Sequence, residues 1–374
     1  MPNTIHIDSA VIINDKGASY DMTNTVLALV MYESIFNNTM TGNVVVVDTE
    51  NIQETLPIVG TEVFYVSYKT DLGILDLVFD VVSINDIKSN NQETKTFELQ
   101  LASRQTLINS NIKLKSRFVG TTSSVVEDLM LNYLGLPESF TWAEPTTDTV
   151  NCVPPSISPL AFINWLCENI GYNADSRSAF YYYETTKGTY LQSLELMKEL
   201  PVVTTLSFSE AEESSVRSNI RILNYTLKQR FDTITNLAEG SFSGTVYTHD
   251  LLTKRLTKTE QWNPNTGLLS FRDAYSADSN ISLLNNVDPL STLQRGFVRG
   301  EFNHNNLIIE IHGNGLLAVG DKVKIDIPST RKTDAKAGDV MLSGDYIITK
   351  IKHHLTTAAY KMIVELNKYD KETA

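Results

Sequence analysis

The sequence feature that most limits the possible fold is an apparent internal repeat of a β-meander pattern. Near the end of the chain, residues 316–323 (Leu-Leu-Ala-Val-Gly-Asp-Lys-Val) lead into alternating apolar and polar residues up to Ile327. Near the start, residues 56–63 (Leu-Pro-Ile-Val-Gly-Thr-Glu-Val) align Gly60 with Gly320. Alternation with a period of two is typical of a strand with one buried face. Both ends of the chain are therefore predicted to form a Val-Gly turn followed by a half-buried strand.

Strand-like segments surround the two Val-Gly turns in the same order. The corresponding segments are 44–47 with 307–311, 79–84 with 346–351, and 97–99 with 363–365. The Val-Gly-x-x-Val pattern is common, so two unrelated β-meanders are the alternative to a duplication. If the chain is duplicated, residues 10–105 should superpose on a module built from 203–235 and 298–368, with Gly60 over Gly320.

The length of 374 residues suits two to four domains. The patterns predict a mainly β (α+β) chain with two β-modules and an intervening α+β domain. The predicted segments are module 1 (1–110), the connecting domain (111–202), module 2 (203–235 and 298–368), and an insertion (236–297) packed with the connecting domain.

The connecting domain contains the clearest helix signals. Residues 124–127 (Ser-Val-Val-Glu) resemble a capping box and predict a helix capped by Ser124. Ser158 followed by Pro159 predicts the start of a second helix. Two strand-like segments joined at Lys187-Gly188 predict a β-hairpin over 179–194.

Composition excludes several classes of protein. The net charge is −13, which argues against adhesion to nucleic acid or anionic membranes, although acidity for solubility explains it equally. Cys152 and Cys167 are the two cysteines, too few for a zinc site or a disulfide framework. No signal peptide and no membrane insertion are predicted, because the segment 1–8 lacks an apolar core and no apolar run is long enough to span a membrane.

No catalytic, cofactor-binding or metal-ligating residues are predicted. The chain has no P-loop, dinucleotide-binding or His-Glu-x-x-His motif, and residues 240–244 have Phe242 where a nucleophilic serine would stand. His353 and His354 are adjacent, so on a strand they would point to opposite faces. They are predicted to lie at a strand end or in a polar turn over 353–359.

Three further clusters have structural explanations that compete with functional ones. Glu210, Glu212 and Glu213 could be a solvated turn or an acid/base site, and nothing apolar frames them to raise a pKa. The run 180–183 (Phe-Tyr-Tyr-Tyr) could stack on sugars or bases, or pack on the helix that carries Trp165. Gly313-Asn314-Gly315 is predicted to be a turn between strands.

Segments at both ends resemble a known family. Residues 31–36 (Met-Tyr-Glu-Ser-Ile-Phe), 42–48 (Gly-Asn-Val-Val-Val-Val-Asp) and 57–62 (Pro-Ile-Val-Gly-Thr-Glu) resemble the first module of the baseplate central hub of contractile-tailed phages of the T-even kind. Residues 345–353 resemble its last module, and residues 244–250 also have a counterpart there. The resemblance covers both ends well and the middle loosely.

This resemblance implies a structural protein rather than an enzyme. Each chain would carry two tube-like β-barrels, and a homotrimer would join the tail tube to the central spike within the virion, after synthesis in the bacterial cytoplasm. The implied partners are a separate spike protein, a tail-tube or tube-initiator protein, and baseplate wedge or inner baseplate proteins. DNA would pass through the ring transiently, without specific binding and without a cofactor.

Two other functions stay open at this stage: a cell-wall-degrading hydrolase and a receptor-binding module of the same machine. The charge of −13 bears on the conduit hypothesis, because an acidic bore would not hold DNA phosphates. The acidic residues could instead lie on the outside of the ring.

Overall fold

The computed structural model describes most of the chain. The described residues are 7–49, 52, 58–70, 73–89, 94–169, 171, 179–208, 220–229, 234, 243–250, 254–262, 281–283, 295–299, 302, 305–329, 339, 341–356 and 359–368.

The first module is a β-barrel in which side chains alternate between the core and the outer surface. Its described strands are β1 (Ile7–Ile13), β2 (Ser19–Asp21), β3 (Val26–Ser34), β4 (Thr41–Asp48), β5 (Val63–Thr70), β6 (Gly73–Ser89) and β7 (Lys95–Ala102). Val44 and Val46 on β4 are fully buried, whereas Val45 between them is partly exposed. The strands are antiparallel in the order β3-β4-β7-β6-β5-β1-β2.

A mixed α/β segment follows the first module. Its elements are α1 (Arg104–Asn111), β8 (Phe118–Gly120), α2 (Thr122–Asp128), a π-helical turn (Leu129–Tyr133), a 3-10 turn (Glu138–Phe140), β9 (Thr141–Ala143), β10 (Val150–Cys152), α3 (Pro159–Asn169), β11 (Phe180–Thr185), β12 (Gly188–Ser193) and α4 (Leu194–Glu199). It has a separate apolar core, with Val126, Leu129 and Ile163 fully buried.

The second module is a closed barrel. The remaining strands are β13 (Thr204–Phe208), β14 (Arg221–Gln229), β15 (Ser243–Asp250), β16 (Arg255–Trp262), β17 (Ile281–Leu283), β18 (Asn305–His312), β19 (Lys322–Asp326), β20 (Gly344–Thr356) and β21 (Tyr360–Lys368). The ring runs β13-β14-β18-β21-β20-β19 and closes because β13 pairs in parallel with both β14 and β19. Strands β15 to β17 form a separate small sheet.

The two modules repeat the same strand pairing. In the first, β3 pairs with β4, β4 with β7, β7 with β6, and β6 with β5. In the second, β14 pairs with β18, β18 with β21, β21 with β20, and β20 with β19. The predicted fold of two β-barrel modules with an intervening α+β domain is therefore confirmed, while the domain boundaries themselves stay a prediction.

Irregularities in the strands also repeat, which fixes the alignment of the modules. The β6–β7 register shifts between Val81 and Ser83, and the β20–β21 register shifts between Ile348 and Lys350. A β-bulge inserts one extra residue and re-aims the strand after it. Bulges at the same place in two strands of the same pairing are expected of a duplicated unit.

The alignment of Gly60 with Gly320 is one residue out of register. Both glycines have positive φ, +96° and +86°, and both lie in the turn before the corresponding strands β5 and β19. The hydrogen bond from Val81 N to Glu62 O, however, corresponds to the one from Ile348 N to Asp321 O. Glu62 therefore corresponds to Asp321, and the turn containing Gly60 is one residue longer.

Some local predictions need correction. Helix α2 is capped by Thr121, not Ser124, because the Thr121 hydroxyl accepts a hydrogen bond from Ser124 N and the Ser124 hydroxyl accepts one from Thr121 N. Within the predicted insertion, the polar residues 255–262 form β16, which pairs with β15 over eight residues. By contrast, α3 begins at Pro159 as predicted.

The repeat glycines provide a matched pair of substitutions. A Cβ on Gly60 would meet nothing within 4 Å, whereas a Cβ on Gly320 would lie 2.2 Å from the Tyr183 hydroxyl. Gly60→Ala should cost about 1–2 kcal/mol of unfolding free energy from backbone strain alone. Gly320→Ala should cost about 1–3 kcal/mol more, because the buried Tyr183 hydroxyl is held by Gln192 at 2.7 Å. Urea unfolding of the two variants measures the difference.

A second substitution tests whether that contact is the cause. Tyr183→Phe removes the hydroxyl that the new Cβ would strike, so it should recover part of the loss caused by Gly320→Ala and none of the loss caused by Gly60→Ala. Equal losses for both alanine variants, with no recovery, would contradict the packing described here.

Candidate assembly surface

Strand β20 joins the two modules into one sheet. Its first residues pair with β19 inside the second barrel, from Gly344 to Ile347. Its last residues, Lys350 to Thr356, pair instead with β3 of the first barrel. One long strand thus belongs to both modules, and buried side chains of both modules form a single apolar cluster.

A buried carboxylate lies at this joint. Glu33 on β3 accepts a hydrogen bond from Thr186 N in the β11–β12 turn (3.0 Å) and from Val319 N in the second module (3.3 Å). Its Oε1 is 3.2 Å from His353 Nε2, and both side chains are almost completely buried. A single carboxylate therefore contacts the first module, the second module and the connecting domain.

The hydrogen-bonding roles at this site follow from the chemistry of the groups. An ionised carboxylate only accepts hydrogen bonds, so His353 Nε2 must donate to Glu33. When His353 is neutral, its Nδ1 then accepts from the Tyr360 hydroxyl, 2.7 Å away. The Tyr360 ring in turn packs edge-on against Tyr68 of the first module.

Electrostatics at Glu33 favour the ionised form. Burial is the largest influence on the pKa of Glu33 and acts to raise it, but His353, Thr186 N and Val319 N together hold the pKa below its ordinary value of 4.5. Burial raises the pKa of Tyr360 well above its ordinary value, so the phenol stays protonated. The charge on Glu33 is thus compensated by hydrogen bonds from Thr186 N, Val319 N and His353 Nε2.

One side of the sheet shared by the two modules forms a continuous surface, which we call the open face. It is the side of strands β14, β18, β21, β3, β4 and β7, and of the second halves of β20 (from Lys350) and β6 (from Ser83), that points away from the barrel cores. One row of directly paired residues runs across seven of these strands in the order His312, Lys361, His354, Val30, Asn43, Gln100 and Ser83. The row crosses from one module to the other without a break.

The open face carries mixed charge. Its described charged side chains are Lys88, Lys228, Lys350, Lys352, Lys361, Glu98, Glu310 and Glu365. Glu365 contacts two of the lysines, Lys228 at 3.3 Å and Lys350 at 3.2 Å, and Glu310 contacts Lys361 at 2.7 Å. Among the described side chains of this face there is therefore no acidic excess.

Both ends of the eight-stranded surface have an unpaired backbone edge among the described residues. Strand β5 covers β6 only as far as Asp80, so one edge of β6 beyond Val81 has no strand partner. At the other end, β13 pairs with β14 only at Arg221 and Ile222. Unpaired strand edges are templates for pairing with another chain.

The residues singled out from the sequence have mostly structural roles. His353 and His354 lie inside β20 rather than in a turn, because His353 is needed at Glu33. Within the run 180–183, Phe180, Tyr182 and Tyr183 are buried, which supports packing over a stacking platform. Glu210, Glu212 and Glu213 lie outside the described residues.

The glycine turn and the two cysteines that the sequence analysis named also have structural positions. Gly313 lies directly against the Tyr360 ring and Gly315 against Thr70, so the Gly-Asn-Gly turn packs between the modules. Cys152 is partly buried and Cys167 buried, both unbonded. In the described part of the chain, no group of three His, Cys, Asp or Glu could hold a metal ion. None of the described helices is long and apolar enough to cross a membrane.

Glu33 itself was missed by the sequence analysis. A lone carboxylate inside the apolar run Val26 to Ile35 was the available signal. Lys and Glu are almost never fully buried unless they are paired, so such a residue predicts a buried partner. The partner, His353, lies 320 positions away, and no local pattern identifies it.

The joint makes a prediction for stability and its pH dependence. Glu33→Gln should lower the unfolding free energy at pH 7 by about 3–5 kcal/mol, because it removes one partner of a buried pair. Since the folded pKa of Glu33 lies below 4.5, its ionised form stabilises the fold above that pH, and the contribution is lost as the pH falls through the folded value. The gap between variant and wild type should therefore narrow on acidification below pH 4.5.

Chemical unfolding at a series of pH values measures this gap. Glu98→Gln, on the open face, is the matched control and should stay within about 0.5 kcal/mol of wild type. If Glu33→Gln behaved like this control at pH 7, the carboxylate would not be holding the joint.

The fold matches solved structures of phage tail proteins, while no protein-family model and no curated protein matches the sequence. The tail protein from Neisseria meningitidis MC58 is similar with a TM-score of 0.60 at 9% identity, covering 96% of each chain. The 43 kDa tail protein of prophage MuSo2 from Shewanella oneidensis gives 0.61 at 9% identity, covering 96% of this chain and 98% of that one.

A third similar structure comes from a secretion machine. It is the E. coli c3393 protein, a component of the type VI secretion system with structural similarity to T4 bacteriophage tail proteins gp27 and gp5. The TM-score is 0.55 at 9% identity, covering 98% of this chain and 77% of that one. The chain therefore has the fold of this group of phage tail and type VI secretion proteins, as the resemblance to baseplate hubs implied.

Proposed function

We propose that this protein is a structural hub of a contractile phage tail baseplate, a ring that joins the tail tube to the central spike. The observation that carries the proposal is the open face, which runs without a break across both barrel modules. A surface shared by two barrels in this way is suited to line a wide channel. The likeness in fold to phage tail proteins supports the same setting, the virion.

The duplication gives a physical reason for a homotrimer. Two similar modules in each of three chains present six similar units around a ring. Such a ring matches a six-fold tube on one side and a three-fold spike on the other. Closed symmetry also removes the exposed strand edges at both ends of the open face.

The proposed bore would be polar and close to charge balance. If the open face lines it, each chain contributes five described lysines and three glutamates, and ion pairs occupy three of those lysines. The acidic residues responsible for the net charge of −13 would then lie elsewhere, as the solubility explanation predicts. Duplex DNA would pass such a surface with weak, salt-sensitive contacts.

The proposed partners follow from the ring. They are two further copies of this chain, a separate spike protein, a tail-tube or tube-initiator protein, and wedge or inner baseplate proteins. No catalytic role is proposed: the described His353 and the run 180–183 hold the fold together. Neither a hydrolase nor a receptor-binding module is favoured by a specific observation.

Assembly is tested by the mass of the particle in solution. Sedimentation velocity of the purified protein, alone and with its spike partner, should give a species that contains three copies of the 41.8 kDa chain. Permanent rings bury more than about 2,000 Å² in each contact, so the trimer should persist at micromolar concentration. A monomer under both conditions would contradict the proposal.

The conduit role makes a separate prediction. The assembled ring should bind a random-sequence duplex more weakly than about 1 µM at 150 mM salt, within the non-specific range. Glu98→Lys adds positive charge to the open face and should tighten binding, with a steeper salt dependence. A matched change on the outer side of the first module, Asp76→Lys, should have a smaller effect. Tight binding by the wild-type ring would exclude a free conduit.

A further inference from the structure

We propose that the ring closes through one specific strand pair, in which the second half of β6 pairs antiparallel with β14 of the next copy. This inference rests on the proposed ring and names its interface. The partner surface is a second copy of this chain, and the contact extends the open face from one copy to the next.

The template for this contact lies within the chain. Lys350 to Thr356 of β20 pair antiparallel with Ala28 to Ser34 of β3, which joins the second module to the first. A ring of alternating modules also needs a joint from the first module to the second module of a neighbour. If the modules are duplicates, the simplest such joint uses the same two strand positions.

The strand that corresponds to β20 is β6. In each long strand the first part pairs with β5 or β19. The second part leaves that neighbour and stays paired with β7 or β21. The bulge between Val81 and Ser83 stands where β20 has its bulge between Ile348 and Lys350. Ser83 in β6 therefore corresponds to Lys350, the first residue of the intrachain joint.

The strand that corresponds to β3 is β14. The β3–β4 register shifts between Val26 and Ala28, and the β14–β18 register shifts between Ile222 and Asn224. Asn224 in β14 therefore corresponds to Ala28. The edge of β3 is occupied by β20, whereas the same edge of β14 has no strand partner beyond Ile222 among the described residues.

The two unpaired edges also carry exposed apolar side chains. Val82 and Ile87 on β6 are 47% and 56% exposed, and Leu227 on β14 is 43% exposed. Pairing the edges would bring these side chains to the same interface, where burial favours association.

The template also fixes the register. His354 pairs with Val30 in the intrachain joint. His354 also pairs with Lys361 of β21, and the corresponding pair of the first module is Lys88 with Thr96 of β7. On β14, Thr226 lies two residues beyond Asn224 and so occupies the place of Val30. The interface is therefore predicted to place Lys88 of one copy directly opposite Thr226 of the next, with both side chains on the open face.

Disulfide trapping tests this register in the full chain. Directly opposite residues of an antiparallel pair have Cα atoms about 4.5–5.5 Å apart, which a disulfide can bridge. Lys88→Cys combined with Thr226→Cys should yield covalent trimers on mild oxidation. Lys88→Cys combined with Asn224→Cys, displaced by two residues, should yield at least tenfold less, and each single variant should yield none.

A charge pair tests the same contact without cysteines. Thr226→Lys would place a lysine opposite Lys88 and should weaken trimer formation about fivefold per contact, while Thr226→Glu should leave it unchanged or strengthen it. Both variants change an exposed strand position, so equal stability of the two monomers separates assembly from folding.

The outcomes distinguish the interface from the proposed function. Cross-linked trimers from the in-register pair, and a difference between Thr226→Lys and Thr226→Glu, would support the inference. A trimer by mass with neither result would overturn the strand pair and leave the hub proposal standing. A monomer under every condition would overturn both.

Discussion

The architecture depends on a single buried charge. Glu33 accepts hydrogen bonds from the β11–β12 turn and from the second module, and its partner His353 lies on the strand that both modules share. An uncompensated carboxylate in this position would cost several kcal/mol, so the surrounding donors must all be present together. The relative placement of the two barrels and the connecting domain is thus tied to one set of hydrogen bonds.

That joint also explains how a duplicated barrel becomes an assembly unit. A closed barrel has no edge to offer, yet β20 leaves β19 halfway and continues along β3. The corresponding strand of the first module, β6, leaves β5 in the same way, and within the described chain no other strand pairs with the edge that β5 leaves. One duplicated strand therefore provides an internal joint in one copy of the module and an open edge in the other.

Much of the fold could be predicted from the sequence because its signals are local. Alternation along β7 and β19, the Ser158-Pro159 helix start and the Lys187-Gly188 hairpin turn each depend on neighbouring residues. The wrong predictions concern positions whose structure depends on contacts with residues far away in the sequence. His353 was predicted to lie at a strand end or in a turn, and its contacts with Glu33 and Tyr360 explain its burial. Gly60 was aligned with Gly320, although the turn at Gly60 is one residue longer and only hydrogen bonds reveal this.

The central claim is that the open face lines the channel of a ring made from three copies of this chain. Electron cryo-microscopy of the assembled particle tests it most directly. We expect three chains around one axis, a sheet that continues from each copy to the next, and the row from His312 to Ser83 facing the bore. A ring in which this row faces outward, or in which the sheet is interrupted between copies by another protein, would contradict the account.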